Sequence, residues 1–132
     1  MLEYDPDDRY LTEEFFAEVG RKVSIDFVTN TDDFQSYFDD CDRHQRPYPS
    51  LILMNQHAAP QSAITVLKEL KSNPAYGHIP VVILGSLSHP GTTKEFYAAG
   101  ASSFIQKPST DRDTHDKIST FIRYWFDTVD LV

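Results

Sequence analysis

The stretch PSLILMNQH, residues 49–57, decides the fold class of this chain. Four apolar residues, Leu51 to Met54, run without a break between a proline and a polar loop. An unbroken apolar run of this length is typical of a strand buried on both faces, as in a parallel sheet. It places Asn55 at the carboxyl end of the strand, the edge where open α/β sheets hold their binding sites.

Strand-like and helix-like segments alternate on either side of this run, which predicts βα units and a parallel sheet covered on both faces. The strand-like segments are KVSIDFV (22–28), SLILMN (50–55), PVVILG (80–85) and SSFIQKP (102–108). The helix-like segments are DPDDRYLTEEFFAEVG (5–20), NTDDFQSYFDDC (30–41), SAITVLKELKSNP (62–74), TTKEFYAAG (92–100) and a last apolar stripe from Ile118 to Val129.

Apolar spacing assigns a buried face to two of these helices. In the first helix, which Gly20 is expected to end, Leu11, Phe15 and Val19 share one face. In the second, the buried stripe is Phe34, Tyr37, Phe38 and Cys41. Ahead of the first helix stands only MLEYD, so we expect a truncated first strand of about three residues.

Length and charge set the limits on function. The 132 residues are expected to form one domain, residues 1–132. The net charge of −8 disfavours nucleic acid and anionic membrane surfaces, which require clustered basic residues. One cysteine, Cys41, excludes an internal disulfide. With no signal peptide and no spanning segment in this sequence, we expect a cytoplasmic protein.

Three pieces of sequence together resemble the receiver domain of two-component response regulators. They are EYDPDDR (3–9), LILMN (51–55) and IPVVILGS…AAGASSFIQKP (79–108), so the likeness covers nearly the whole chain. The resemblance implies a flavodoxin-like, doubly wound sheet of five parallel strands in the order 2-1-3-4-5. Here its first strand is the truncated one.

The resemblance also implies a site. In the family, an acidic pair and an aspartate at the end of the third strand hold a divalent cation, and that aspartate accepts a phosphoryl group. A hydroxyl residue and a lysine contact the phosphoryl oxygens. In this chain those positions are Glu3 and Tyr4 (acidic pair), Asn55 (phosphoacceptor), Gly85 (hydroxyl), Lys107 (lysine) and Phe104 (switch aromatic).

Three of these positions lack the chemical group that the family uses there. Asn55 is a neutral amide with no anionic oxygen, Tyr4 is not a carboxylate, and Gly85 has no hydroxyl. We therefore predict a pseudo-receiver that is not an enzyme and has no cofactor. No Mg²⁺ site is expected, with Glu3 and Asp5 as the remaining candidate ligands.

The charged residues nearby have simpler roles in this interpretation. Lys107 is expected to pair with Glu3 or Asp5 as a structural ion pair. The acids Asp5, Asp7 and Asp8 are expected to cap the first helix and favour its dipole.

The sequence favours an interaction module that acts through protein–protein contacts, with a histidine kinase or an output protein as partner. A homodimer through the fourth-helix to fifth-helix face, with Phe96, Tyr97, Phe104 and one of Tyr124 and Trp125, is also expected. The alternative is a phosphorylatable receiver in a phosphorelay that uses a non-standard acceptor, of which Asp5 is the nearest. A flavodoxin-like cofactor binder is disfavoured, because the carboxylates of YDPDDR (4–9) would repel phosphate.

Overall fold

A parallel β-sheet with helices on both faces is the architecture of the chain, for which a computed structural model describes residues 1–18, 23–86 and 89–132. The helices are α1 (Pro6–Glu18), α2 (Thr31–Arg43), α3 (Ala63–Ser72), α4 (Pro90–Ala98) and α5 (Asp111–Ile122), which continues into a π-helical turn, Arg123–Thr128. The strands are β1 (Ile52–Asn55), β2 (Val81–Gly85) and β3 (Ser103–Gln106).

The sheet confirms the predicted order of segments. The three strands pair in parallel in the order β1-β2-β3, with Ile52 opposite Val81. On the outer side of β1, Leu2 forms single parallel bridges to Met54 and to Val28. The spatial order is therefore Val28, Leu2, β1, β2, β3, which is the 2-1-3-4-5 order with the first strand reduced to one bridged residue.

The second predicted strand is wrong over most of its length. Of the described residues 23–28, only Val28 forms a bridge. A strand needs a neighbour to pair with, and the backbone bonds of this segment to residues 1–3 include those of Val28 to Met1 and Glu3. Alternating apolar residues therefore show which side chains are apolar, but they do not by themselves establish a paired strand.

The predicted buried face is largely confirmed for α2 and is wrong for α1. In α2, Phe34, Phe38 and Cys41 are buried as predicted, whereas Tyr37 is only partly buried. The side chain of Asn30 caps the helix by accepting from the Asp33 amide. In α1 the predicted face is wrong: Leu11 is 43% exposed and the buried residue is Phe16. The predicted members Val19 and Gly20 lie outside the described residues.

The sheet separates two apolar clusters. Met54, Leu67 and Ile83 pack on the face covered by α2, α3 and α4. Phe16 and Phe121 pack with Val82 on the face covered by α1 and α5. Successive residues of β2 thus contribute to opposite layers, as expected for a strand buried on both faces.

The outer edge of β3 is partly closed by a side chain from α4. The backbone N–H of Phe104 donates to the hydroxyl oxygen of Tyr97 at 3.1 Å. Within the described ranges, no helix combines the length and the apolar character needed to cross a bilayer.

Candidate functional site

The predicted site residues meet at the carboxyl edge of the sheet. Asn55 ends β1, Gly85 ends β2, and Lys107 directly follows β3. Glu3 follows the bridged residue Leu2. Parallel strands all end at the same edge, so four positions that are far apart in the sequence come together here.

Asn55 uses both ends of its amide group. Its Nδ2 donates to Oε2 of Glu3, and its Oδ1 accepts from the backbone N–H of His57 at 2.7 Å. Both Asn55 and Glu3 are buried. The amide is therefore a structural link between the first-strand segment and the loop after β1.

Lys107 lies between two carboxylates. Its Nζ donates to Oε1 of Glu3 at 2.6 Å and to Oδ2 of Asp8 at 2.6 Å. The predicted pairing with Glu3 is confirmed. Asp5 does not take part: its Oδ1 accepts from the Asp7 amide at 2.9 Å and caps α1. The second partner of the lysine is Asp8.

Asp8 is the site residue that the sequence analysis missed. It was assigned to the first helical turn as a dipole-favoured acid, and it does lie in that turn. However, α1 begins at the carboxyl edge of the sheet, so its first turn also faces the site. A first-turn acid that follows a strand by a few residues is the signal that could have found it.

The ionisation of these groups is set by burial and by their mutual contacts. Burial raises the pKa of Glu3, although the hydrogen bonds from Lys107 and Asn55 oppose the rise. Burial is the largest single effect on Asp8 and would raise its pKa, but the hydrogen bonds with Lys107 and Glu3 and the charge of Lys107 together outweigh it, so the pKa is lowered. Burial would lower the pKa of Lys107, but Asp8 and Glu3 together raise it.

The space beside Gly85 is filled by an aromatic ring. A Cβ at this position would lie 2.4 Å from Cζ and 2.6 Å from Cε1 of Phe104. The same point is 2.8 Å from Oε1 of Gln56, an atom that is buried without a hydrogen-bond partner among the described residues. The next hydroxyl, that of Ser86, is exposed and lies 3.3 Å from Nε2 of His57.

The donor set holds an ammonium group between its carboxylates. The Lys107 ammonium contacts both nearby carboxylates, and the side chain of Tyr4 is 55% exposed. In residues 1–18, 23–86 and 89–132, no group of three or more His, Cys, Asp or Glu side chains is arranged to hold a metal ion. A cation at Glu3 and Asp8 would compete with the lysine for these carboxylates.

Known proteins that are similar to this chain in sequence include response regulators. No sequence-family model matches the chain. Response regulator PleD of Caulobacter vibrioides is 30% identical over 79 residues, which are 60% of this chain and 17% of PleD. Response regulator Rcp1 of Synechocystis is 27% identical over 85 residues, which are 64% of this chain and 58% of Rcp1. The matches thus span less than two thirds of either relative.

Solved structures agree on the fold. The Mn²⁺-bound form of Rcp1 superposes with a TM-score of 0.82 at 21% identity, covering 99% of this chain and 95% of that one. The phosphorylated cyanobacterial phytochrome response regulator RcpA superposes with a TM-score of 0.84 at 22% identity, covering 98% and 94%. The chain therefore has the fold of a response regulator receiver domain.

Proposed function

We propose that this chain is a receiver-like signalling module that acts through protein–protein contacts and is not phosphorylated at Asn55. The observation that carries the proposal is the hydrogen bonding of Asn55, whose amide donates to Glu3 and accepts from His57. The proposal assigns no catalysed reaction to the chain.

Phosphorylation at position 55 would need a nucleophile, which is missing here, and a positive charge, which is already engaged. Phosphoryl transfer to a side chain requires a nucleophilic oxygen and preorganised positive charge for the transferred group. The neutral amide of Asn55 offers no such nucleophile. The positive charge of Lys107 is already hydrogen-bonded to Glu3 and Asp8.

We further propose that the module works without a resident metal ion. Rcp1 has been crystallised with Mn²⁺. In this chain, the ammonium of Lys107 lies 2.6 Å from both Glu3 and Asp8, where a cation would compete with it. Mg²⁺ gives up its bound water reluctantly. Displacing the paired ammonium of Lys107 would add a second cost, so binding of Mg²⁺ at this site is unfavourable.

The proposed docking surface is the face formed by α4, β3 and α5. Tyr97 and Tyr124 are 49% and 53% exposed on this face, whereas Trp125 is buried. A shallow groove of about 360 Å³ runs between β3 and α5, lined by Ile105 and Lys117 among others. Exposed aromatic rings beside a groove suit a protein partner, such as a histidine kinase, an output protein or a second copy of the chain.

Treatment with acetyl phosphate and Mg²⁺, followed by intact-mass measurement, tests the acceptor half of this proposal. RcpA, whose structure was solved in a phosphorylated form, is the positive control. We expect no mass gain for this chain under conditions that label RcpA. A Mg²⁺-dependent gain of one phosphoryl group would overturn the proposal. Peptide mapping of the label to Asp5 or Asp8 would then favour a receiver with a non-standard acceptor.

A further inference from the structure

Lys71 is a half-buried lysine at the opposite edge of the sheet from the candidate site. It lies in the last turn of α3, near the loop that leads into β2. Its Nζ donates to the carbonyl oxygen of Ile79 at 2.7 Å and to that of Gly77 at 3.2 Å. Among the described residues, no carboxylate forms an ion pair with it. Unlike the ammonium of Lys107, this ammonium is therefore held by neutral groups alone.

The hydrogen bonds of Lys71 suit a neutral amine as well as an ammonium. An ammonium has three protons to donate, and a neutral amine has two. Nζ uses one donor for Gly77 and one for Ile79, and in the part of the chain that the structure describes no group accepts a third. Loss of the third proton therefore breaks no bond to the protein and leaves a lone pair on Nζ.

The stem of Lys71 is held in place by the turn after α4. Gly100 has a φ of +110°, a conformation that is strained for residues other than glycine. A Cβ at Gly100 would lie 2.8 Å from Cγ and 3.4 Å from Cδ of Lys71, so the stem passes directly over the backbone of this turn. The packed stem keeps Nζ at one point, whereas an exposed lysine samples many rotamers.

We propose that Lys71 is an acylation site whose amine takes an acyl group from a thioester. The lone pair of Nζ attacks the thioester carbonyl carbon, a C–N bond forms, and the C–S bond breaks. The sulfur leaves as a thiolate and takes up the proton that the nitrogen loses. Thioesters acylate amines more readily than hydroxyl groups, so this class of donor matches the group that the protein presents. Lys71 is only partly buried, and a donor can reach it.

The other described lysines lack this combination of burial and missing counter-charge. Lys107 is half-buried, but its two carboxylate partners raise its pKa. Lys68, Lys94 and Lys117 are exposed. Burial lowers the pKa of Lys71, so more of its amine is uncharged at neutral pH. A desolvated lysine is an activated nucleophile, which places Lys71 ahead of the others.

Acylation should also loosen the loop between α3 and β2. The nitrogen of an acylated lysine carries one proton, so only one of its two carbonyl partners can keep a hydrogen bond. Both partners belong to this loop, in which the Gly77 amide donates to Asn73 and the Ile79 amide donates to Tyr76. We expect hydrogen exchange at the Gly77 and Ile79 amides to become roughly threefold faster or more after acylation.

Limited acetylation of the folded chain by acetyl-coenzyme A tests the proposal. Peptide mapping gives the rate at each lysine, and we expect Lys71 to react roughly tenfold faster than Lys68 or Lys117. Lys117 is the matched control, because its Nζ also donates to a backbone carbonyl but is exposed. In urea, where the fold is lost, the three rates should become equal. Equal rates in the folded chain would overturn the proposal.

Two variants separate the reactivity of Lys71 from a merely structural role. Lys71→Arg keeps the charge and the donors but has no amine, so the fast label should vanish while exchange at Gly77 and Ile79 stays slow. Lys71→Gln is neutral like the acylated side chain, and it should reproduce the faster exchange. A fast acetyl label that persists in Lys71→Arg would assign the reaction to another amine and overturn the proposal. Unchanged exchange in the acetylated chain would overturn the predicted loosening of the loop.

Discussion

The side chain of Asn55 does what an aspartate in its place could not do. It donates one hydrogen bond to a buried carboxylate and accepts another from a backbone amide. An ionised aspartate only accepts hydrogen bonds, so it would face Glu3 as a second negative charge. At the scale of single residues, the site is thus built around a neutral donor beside Glu3.

The substitution Asn55→Asp tests this dependence. We expect no labelling by acetyl phosphate, because Tyr4 supplies no carboxylate and Gly85 no hydroxyl, and losing one oxyanion donor can cost ~10²–10³ in rate. Two facing carboxylates also raise the pKa of the pair, so the native state binds more protons and stability falls as the pH rises through that pKa. Intact mass, and melting temperatures at pH 5 and pH 7, measure both effects.

Asn73→Asp is the matched control for that substitution. Asn73 accepts from the Ala75 amide through its Oδ1, an interaction that an aspartate keeps. The stability of the Asn73→Asp protein should change little between pH 5 and pH 7. Rapid and complete labelling of the Asn55→Asp protein would mean that the site is still competent and would remove most support for the proposed function.

Gly85 and Phe104 are expected to behave as one unit. A threonine at position 85 would place its Cβ 2.4 Å from the Phe104 ring, so Gly85→Thr should destabilise the fold by about 1–3 kcal/mol. Phe104→Ala removes the obstacle, so the double variant should lose less than the sum of the single losses. Urea unfolding of the four proteins gives the coupling energy.

A suitable control for this cycle is Gly91→Ala. Its new Cβ would meet only the exposed ring of His89, at 3.2 Å, a contact that a shift of a few tenths of an ångström relieves. Additive losses for Gly85→Thr and Phe104→Ala would show that the ring does not occupy this space. The geometry also means that restoring a hydroxyl at position 85 requires changing Phe104 as well.

At the scale of elements, Lys107 joins four parts of the fold. It follows β3, and it bonds Glu3 of the first-strand segment and Asp8 of α1. The backbone amide of the same residue donates to the Gly85 carbonyl at 2.7 Å, which adds the end of β2. The truncated first strand is thus held by this side chain as well as by its few backbone bonds.

Replacing Lys107 by methionine should loosen this junction. The carboxylate of Glu3 would stay buried without its cation, at a cost of about 1–3 kcal/mol or more at pH 7. Its pKa, already raised by burial, would rise further. Since the native state then holds the proton more tightly than the unfolded state, the loss should shrink as the pH falls.

Denaturant unfolding between pH 5 and pH 8 measures this pH dependence. Lys117→Met is the control, because the ammonium of Lys117 donates to a backbone carbonyl, that of Gln106, at 2.7 Å on the surface. The free energy of unfolding that Lys117→Met loses should be small and independent of pH. Equal losses for the two variants would show that the Lys107 network contributes nothing beyond a surface contact.

The elements that the sequence predicts well are those whose signal is local. Unbroken apolar runs predicted β1 and β2, because a strand buried on both faces needs no particular neighbour to be recognised. Residues 23–28 failed because alternation shows which side chains are apolar but not whether a partner strand exists. In α1, two helix faces compete for burial, one with Leu11 and Phe15 and the other, one residue further along, with Thr12 and Phe16. Only tertiary packing selects between these two faces.

The sequence predicted which positions form the candidate site better than it predicted the contacts between them. Glu3, Asn55, Gly85 and Lys107 meet as the resemblance implied, because the carboxyl ends of parallel strands share one edge. Asp5 was expected as the alternative to Glu3 in pairing with Lys107, whereas the structure pairs the lysine with Asp8 in addition to Glu3. The choice depends on the angle at which α1 leaves the sheet, which the sequence of its first turn does not encode.

At the scale of the whole molecule, we expect a symmetric dimer through the α4, β3 and α5 face. Tyr124→Asp should weaken association tenfold or more, because Tyr124 is an exposed aromatic residue beside the groove on that face. Tyr10→Asp makes the same charge change at an exposed tyrosine of α1 and should have no effect. Sedimentation velocity measures both, and a monomer at high micromolar concentration would contradict the expectation.

The contact between Tyr97 and Phe104 bears on how the chain behaves when crowded. An edge strand with free amides is a template on which other chains can stack into fibrils. Here the outward amide of Phe104 is already taken by the phenol of Tyr97, and only four residues make up β3. The edge is therefore a poor seed for cross-β growth. A partner that docks on this face must recognise the shape of its side chains, since the backbone offers little to pair with.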